Sequence, residues 1–233
     1  SGVNYMHLID HGRNYVEETY KRPFLDRIFR NILSYVLPRP KVFFTMAILT
    51  KFIKPFSFIL PEFLKNSLEL MPSQIPSKKI KEKKVYEVEN GKKISRVALL
   101  TGCVQRVISP EINESTIRLL TRHNVEVVVM QDIDCCGSLN HHLGKKDLAH
   151  KSFIKNIESW HEEYLNNGLD AIISNTSGCG TTLKDYGHIF KNDKDLKKKA
   201  KKISELTKDI SEYLDENLKL NIKQDDEKKY KIA

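Results

Sequence analysis

The sequence holds four cysteines in 233 residues, a single tryptophan, and no uncharged apolar run near the ~18–20 residues that span a bilayer. The last absence argues against a transmembrane helix. So few cysteines, in a chain with 40% hydrophobic and 30% charged residues, argue against a small disulfide-built secreted scaffold. No stretch matches a nucleic-acid-reading motif, so no nucleic-acid partner is expected. No segment carries the residues of a hydride-transfer or nucleophilic active site, so no catalytic residue is assigned. The chain opens at Ser1 rather than Met, and upstream sequence is expected.

What charge there is lies unevenly. The formal net charge of +9 divides into +8 over residues 1–94, −2 over 95–190 and +3 over 191–233. A basic N-terminal portion suits an anionic surface or an acidic partner. For one cluster such as KKIKEKK at 78–84, a solvated face is the simpler explanation.

Three parts follow from the pattern. Residues 1–22 precede a proline-punctuated stretch, 23–94, that reads as short helices and then a polar linker. PFLDRIFRNILSYVL has apolar residues at Phe24, Leu25, Ile28, Ile32, Leu33 and Val36, a helical spacing. KVFFTMAILTKFIKPFSFIL, residues 41–60, is apolar nearly all round, and Pro55 should break it. Such a helix is either buried against a neighbour or laid on a membrane interface, with Lys51 and Lys54 toward the head groups. Its phenylalanines exceed one core-facing stripe, so under-burial is expected at Phe43, Phe44, Ile48, Phe52, Phe56 and Phe58. MPSQIPSKKIKEKK, 71–84, reads as the linker.

Residues 95–233 change character. RVALLTGC is a strand ending at a cysteine, and Ser109–Pro110 suits the start of the helix PEINESTIRLLTRH. NVEVVVM is a second strand, followed by DIDCCG. A helix is expected from about Lys145 to Asn167, then a third strand, DAIISNTSGCG, also ending at a cysteine, and a helix from TTLKDYGHIF. Alternating strands and helices imply an α/β fold with a parallel sheet and right-handed crossovers. The charged tail suggests one helix, AKKISELTKDISEYLDENL, and the ending KYKIA resembles the start of a further strand.

Cys103, the pair Cys135–Cys136, and Cys179 each follow one of the three strands. In a parallel α/β sheet those positions share one edge, where ligand sites are built from loops. Inert buried thiols, a tetrahedral zinc site and iron–sulfur ligation are three readings of this set. Adjacent thiolates reach one small ion with poor angles, whereas they can reach two irons of a cluster, which favours iron and sulfur. Gly102, Gly137, Gly178 and Gly180 flank the cysteines where sharp turns would be needed. His141 and His142, close behind, could bind or tune a metal, pass protons, or only satisfy a loop.

GCVQ at 102–105, CCGSLNHHLG at 135–144 and SGCGTTLKDYGH at 177–188 together resemble the CCG cysteine-rich domain of the glycolate oxidase iron–sulfur subunit family. SGVNYMHLIDHGR resembles the segment that follows the last Cys-Pro of that family's ferredoxin-like domain, which has two 4Fe–4S clusters. The resemblance implies that 1–22 is the tail of such a domain, 23–94 a helical connector, and 95–233 the first CCG domain of a longer subunit. It implies an iron–sulfur cofactor, 4Fe–4S in the family, on Cys103, Cys135, Cys136 and Cys179, with His141 and His142 as further cofactor-binding candidates. It also implies flavin-bearing, FAD-containing partner subunits, electron transfer toward a quinone, and a cytoplasmic place peripheral to the inner membrane. The sequence departs from the widespread C-x-x-C ending, because Gly180, Thr181 and Thr182 follow Cys179. The alternative is a zinc-binding or purely structural interaction module.

Overall fold

The computed structural model describes residues 2–59, 61–69, 84–89, 91–133 and 135–218. The linker read at 71–84 lies, apart from Lys84, outside the described residues, as do KYKIA and Asp134. In chain order the elements are α1 (Tyr5–Thr19), α2 (Phe24–Val36), α3 (Pro40–Ile53), a 3-10 segment (Lys54–Ile59), α4 (Glu62–Glu69) and β1 (Val85–Tyr86). Then come β2 (Ser95–Leu100), α5 (Gln105–Ile108), α6 (Pro110–Arg122), β3 (Val125–Val128), α7 (Ser138–His142) and α8 (Lys146–Asn167). The last are β4 (Ala171–Ser174), α9 (Ser177–Ile189), α10 (Lys197–Leu206), β5 (Thr207–Asp209) and α11 (Ile210–Asn217).

The fold is α/β. The sheet runs β1-β3-β2-β4-β5, with β2, β3, β4 and β5 parallel and β1 antiparallel at one edge. Its register pairs Val97 with Val127 on one side of β2 and with Ala171 on the other. Helices cover both faces, which is why the central strands are apolar without alternation. Ala98, Leu100 and Ile172 face a core built by Phe153, Ile157, Trp160, Leu183, Tyr186 and Ile203 from α8, α9 and α10. Val97, Leu99, Val127 and Ile173 face Ile117 and Leu120 of α6 and Tyr213 of α11.

Several expectations need correction. The third strand stops at Ser174, and Cys179 sits in the first turn of α9 rather than at a strand end. Gly178 and Gly180 are therefore helical; only Gly102 and Gly137 of the four flanking glycines have positive φ, at 69° and 83°. The tail is not one helix. Thr207–Asp209 breaks it as an edge strand, which the capping box of Asp209 and Glu212 then closes at the start of α11. β1 and α7 also went unread, and Ser109 occupies the N-cap of α6 without a side-chain cap bond.

The connector follows its composition in part: of the six residues expected to be under-buried, four are exposed, but Phe43 belongs to the core and Phe44 is half-buried. Pro55 ends α3 at Ile53 and the chain continues as a 3-10 turn. Phe43 is buried, with Ala47, against Val107 of α5, and Phe44 packs beside them. Ile48, Phe52, Phe56 and Phe58 are exposed, at 38%, 71%, 61% and 78%. Among the described residues no single helix is long and apolar enough to cross a membrane, and α2 and α3 meet at 118°.

Gly137 and Gly178 give a paired test. A Cβ on Gly137 would lie 2.5 Å from Cε1 of buried Phe153, at a φ that disfavours any side chain. Gly137→Ala should therefore cost about 2–4 kcal/mol of unfolding free energy. Gly178 has open space and sits within a helix, so Gly178→Ala should gain up to about 1 kcal/mol. Denaturant midpoints with equal slopes check both. A neutral Gly137→Ala would refute the close packing of the Cys136–Ser138 turn on α8.

Candidate functional site

The site begins with strand ends. After β2 the chain turns at Gly102 and places Cys103 before α5; after β3 it reaches Cys135 and Cys136; after β4 it enters α9 with Cys179 in the opening turn. The parallel pairings put all three exits at one sheet edge. All four cysteines are free thiols. Cys136 Sγ lies 3.1 Å from Cys179 Sγ. Cys135 acts electrostatically on both Cys103 and Cys136, so the four thiols form one cluster. Cys135 and Cys136 are buried, while Cys103 and Cys179 are half-buried.

The contacts divide the sulfurs by charge. Cys135 is held well below the usual thiol range because Cys103 and Cys136 donate to it, aided by Gly137 N–H at 3.4 Å. The bond to Cys135, then burial, pushes Cys103 up. Cys136 is pushed up as the shared donor to Cys135 and Cys179, and Cys179 is lowered by accepting from it. Neighbouring donors thus favour the thiolate at Cys135 above all, and shift Cys179 in the same direction.

Backbone clamps fix the pair. Asn156 Nδ2 donates to the carbonyl of Cys135 at 2.9 Å and to Tyr186 Oη at 3.0 Å. Tyr186 Oη in turn donates to the carbonyl of Cys136 at 2.6 Å. Both side chains are fully buried, so each carbonyl has a partner where water cannot reach. A second network ties the outer cysteines: Gln105 donates to Asn113 and Asn175, each at 2.8 Å, and accepts from Thr176 at 2.6 Å. These residues escaped the sequence reading. Gln105 and Tyr186 lay inside the quoted segments, but Asn113 and Asn156 sit on helix faces with nothing to mark them.

His141 and His142 are placed elsewhere. On α7 they face α1, where His141 Nε2 is 3.1 Å from Asp10 Oδ2 and His142 Nδ1 is 3.3 Å from Asp10 Oδ1. Arg13 Nη1 completes this cluster at 2.8 Å from Asp10 and 3.0 Å from His142. Gly144, at φ 72°, lets the turn after α7 come against the Arg13 carbonyl of α1. Burial would raise the carboxyl of Asp10, but the Arg13 bond and the two imidazoles outweigh it and hold it low. A neighbouring cavity of about 310 Å³ is lined by His7, His11, His150, Asp185 and His188, with His7 stacked on His188.

As donors, four thiols without a disulfide suit a soft centre. The Cys136–Cys179 separation of 3.1 Å is tighter than a bound ion leaves it. On a tetrahedral ion with metal–sulfur bonds of about 2.3 Å, sulfurs stand about 3.8 Å apart. Among the described residues no three His, Cys, Asp or Glu side chains surround one ion position. That pair would open by less than an ångström for one ion, and further for a cluster.

Residues 97–184 match the family model described as "CCG: Cysteine-rich domain". The chain is 35% identical over 216 residues to the "Glycolate oxidase iron-sulfur subunit" of Escherichia coli (strain K12), covering 93% of this chain and 50% of that protein. It is 26% identical over 226 residues to the "Probable glycolate oxidase iron-sulfur subunit" of Bacillus subtilis (strain 168), covering 92% and 50%. "Lactate utilization protein A" of the same organism is 24% identical over 119 residues, covering 51% and 48%. The chain spans about half the length of these relatives. No solved structure matches it.

The histidines predict a pH response. Burial, as the first cause, holds His141, His150, His161 and His188 below the ordinary imidazole value. Their neutral forms are favoured by the fold, so protonation favours unfolding. This stability is complete above about pH 6.5 and is lost as pH falls below it. The denaturant midpoint should drop between pH 7.5 and pH 5.5 (both about one unit from that value), and His150→Gln should flatten the drop. A midpoint rising over that interval would reverse the assignment.

Proposed function

We propose that this chain, which carries a CCG cysteine-rich domain, belongs to the electron-transfer subunit of a glycolate oxidase complex. The observation that carries the reading is the convergence of four free thiols from three strand exits, with the adjacent pair clamped by Asn156 and Tyr186. Cys103, Cys135, Cys136 and Cys179 would hold an iron–sulfur group. Such a group supplies one-electron storage at a potential set by thiolate ligation, burial and nearby hydrogen bonds. The protein's own part is to lower the thiols of Cys135 and Cys179, exclude water from Cys136, and fix the backbone of the pair.

In this reading a flavin-bearing, FAD-containing partner takes the hydride from glycolate. Electrons then pass through this subunit toward a quinone, at a cytoplasmic site peripheral to the inner membrane. The exposed phenylalanines of the connector and the basic charge of residues 1–94 support that peripheral contact. A zinc-holding or purely structural module is the competing reading, favoured by the close sulfur spacing and by Gly180, Thr181 and Thr182 replacing a C-x-x-C ending.

Metal and electron flow separate the two. Cys135→Ser or Cys136→Ser in the anaerobically purified full-length protein should lower iron content and acceptor reduction together. Flavin reduction by glycolate in the partner should survive, because no hydride step occurs here. Serine keeps the shape and loses the soft ligand. Unchanged iron with normal assembly and acceptor reduction would overturn electron transfer at this site, and stoichiometric zinc would establish the structural reading.

A further inference from the structure

Helix α1 docks on the α/β unit without a hydrophobic seal. Asp10 is its one buried residue; Met6 and Ile9 are half-buried, and Tyr5, Leu8, Tyr15 and Val16 are exposed. Imidazoles make much of the attachment instead. The Asp185 carboxylate accepts from His7 Nε2 at 2.7 Å, and the His7 ring stacks on His188 with centroids 3.5 Å apart and planes within 7°. Asp10 meets His141 and His142. The helices gripped in this way adjoin the thiols, since Cys179 lies in the first turn of α9 and α7 starts at Ser138, just after Cys136 and Gly137. We infer that α1 is a pH-released clasp, docked while the His7–His188 stack holds at most one added proton and freed from α9 when both rings are charged.

Two imidazolium rings face to face at 3.5 Å repel each other. The surrounding groups do not relieve that repulsion. On α9, Asp185 is already bonded to His7; on α1, Asp10 is engaged by Arg13, His141 and His142. No other carboxylate lines the adjoining cavity of about 310 Å³. Its remaining titratable groups are cations or can become so: Lys146 and His150 of α8, His141 of α7, His11 of α1, and Lys191 just beyond α9. Where α10 packs on α9 at Gly187 it brings Lys201, which is paired with Glu205. Lys191 Nζ stands 3.5 Å from His188 Nε2, an approach that suits the lone pair of a neutral ring. Partial burial first, then His7 and Lys191, hold His188 below the ordinary imidazole value, against the pull of Asp185. A ring that takes its proton less readily when docked than when free weakens docking as pH falls below the free value. For one ring with a free value of about 6.5, the docking equilibrium drops by up to about tenfold one unit lower.

Amide hydrogen exchange on the full-length protein, with rates corrected for the intrinsic effect of pH, reads the clasp directly. Opening of α1 should increase about three- to tenfold between about pH 7.5 and about pH 5.5, while the amides of β2 stay protected. His188 is exposed in the last turn of α9, so His188→Phe leaves the core untouched and keeps a ring on the stack without a proton site. In that variant the increase at α1 should fall below about twofold. Unchanged exchange at α1 in the lower-pH sample, an equal increase in His188→Phe, or a matching loss of protection in β2 would overturn the clasp.

Discussion

The placement of β2 between β3 and β4 is the constraint on which the rest depends. Parallel pairing on both sides sets the height at which three loops leave the sheet, and the sulfurs meet because those heights agree. A slip of one residue would turn Val97 and Leu99 out of one core and Ala98 and Leu100 out of the other. The register is pinned at the opposite end by polar groups. Asp170 accepts from the Arg96 amide at 2.7 Å and from Ser95 Oγ at 3.0 Å. The Arg96 guanidinium is held by Glu126 and by buried Glu163. That lock lies a strand's length from the cysteines and still decides where they stand.

Burial then shapes the thiol chemistry. A thiolate removed from water needs donors, and here the donors are mostly other thiols, which lower Cys135 and Cys179 and raise Cys103 and Cys136. The same logic explains the amide and phenol networks around them. Asn156 and Tyr186 satisfy the carbonyls of the pair, and Gln105 spans the loops carrying Cys103 and Cys179. The histidines take no part in this. Their partner, Asp10, arrives from α1, so a buried carboxylate joins the His7–Asp185 pair and the Arg30 bond to the Leu143 carbonyl, each at 2.7 Å, in holding the basic N-terminal portion on the α/β unit.

What the sequence made legible follows the strength of the local signal. β2, β3 and β4 are apolar on both faces and read plainly, and with them the common edge of the cysteines. β1 has two residues and β5 is Thr-Lys-Asp, so neither carries a period to detect. Ser-Gly-Cys-Gly reads as a loop because glycine disfavours helix, yet the close approach of Gly180 to Ser174 helps admit it to α9. The pairing of His141 with Asp10 joins residues 131 positions apart, which no local pattern encodes. Over-abundant phenylalanine in the connector, by contrast, was legible as under-burial because composition alone exceeds what one buried stripe can hold.

The connector is also more than a spacer. Phe43 and Ala47 of α3 dock on Val107 of α5, the helix that follows Cys103. Pro38 and Arg39, at the bend between α2 and α3, wall a cavity that reaches Cys135. The segment with the most exposed apolar surface is therefore packed beside the elements that carry two of the four sulfurs. The exposed apolar surface of Phe52, Phe56 and Phe58 thus belongs to the same segment that closes one side of the thiol site.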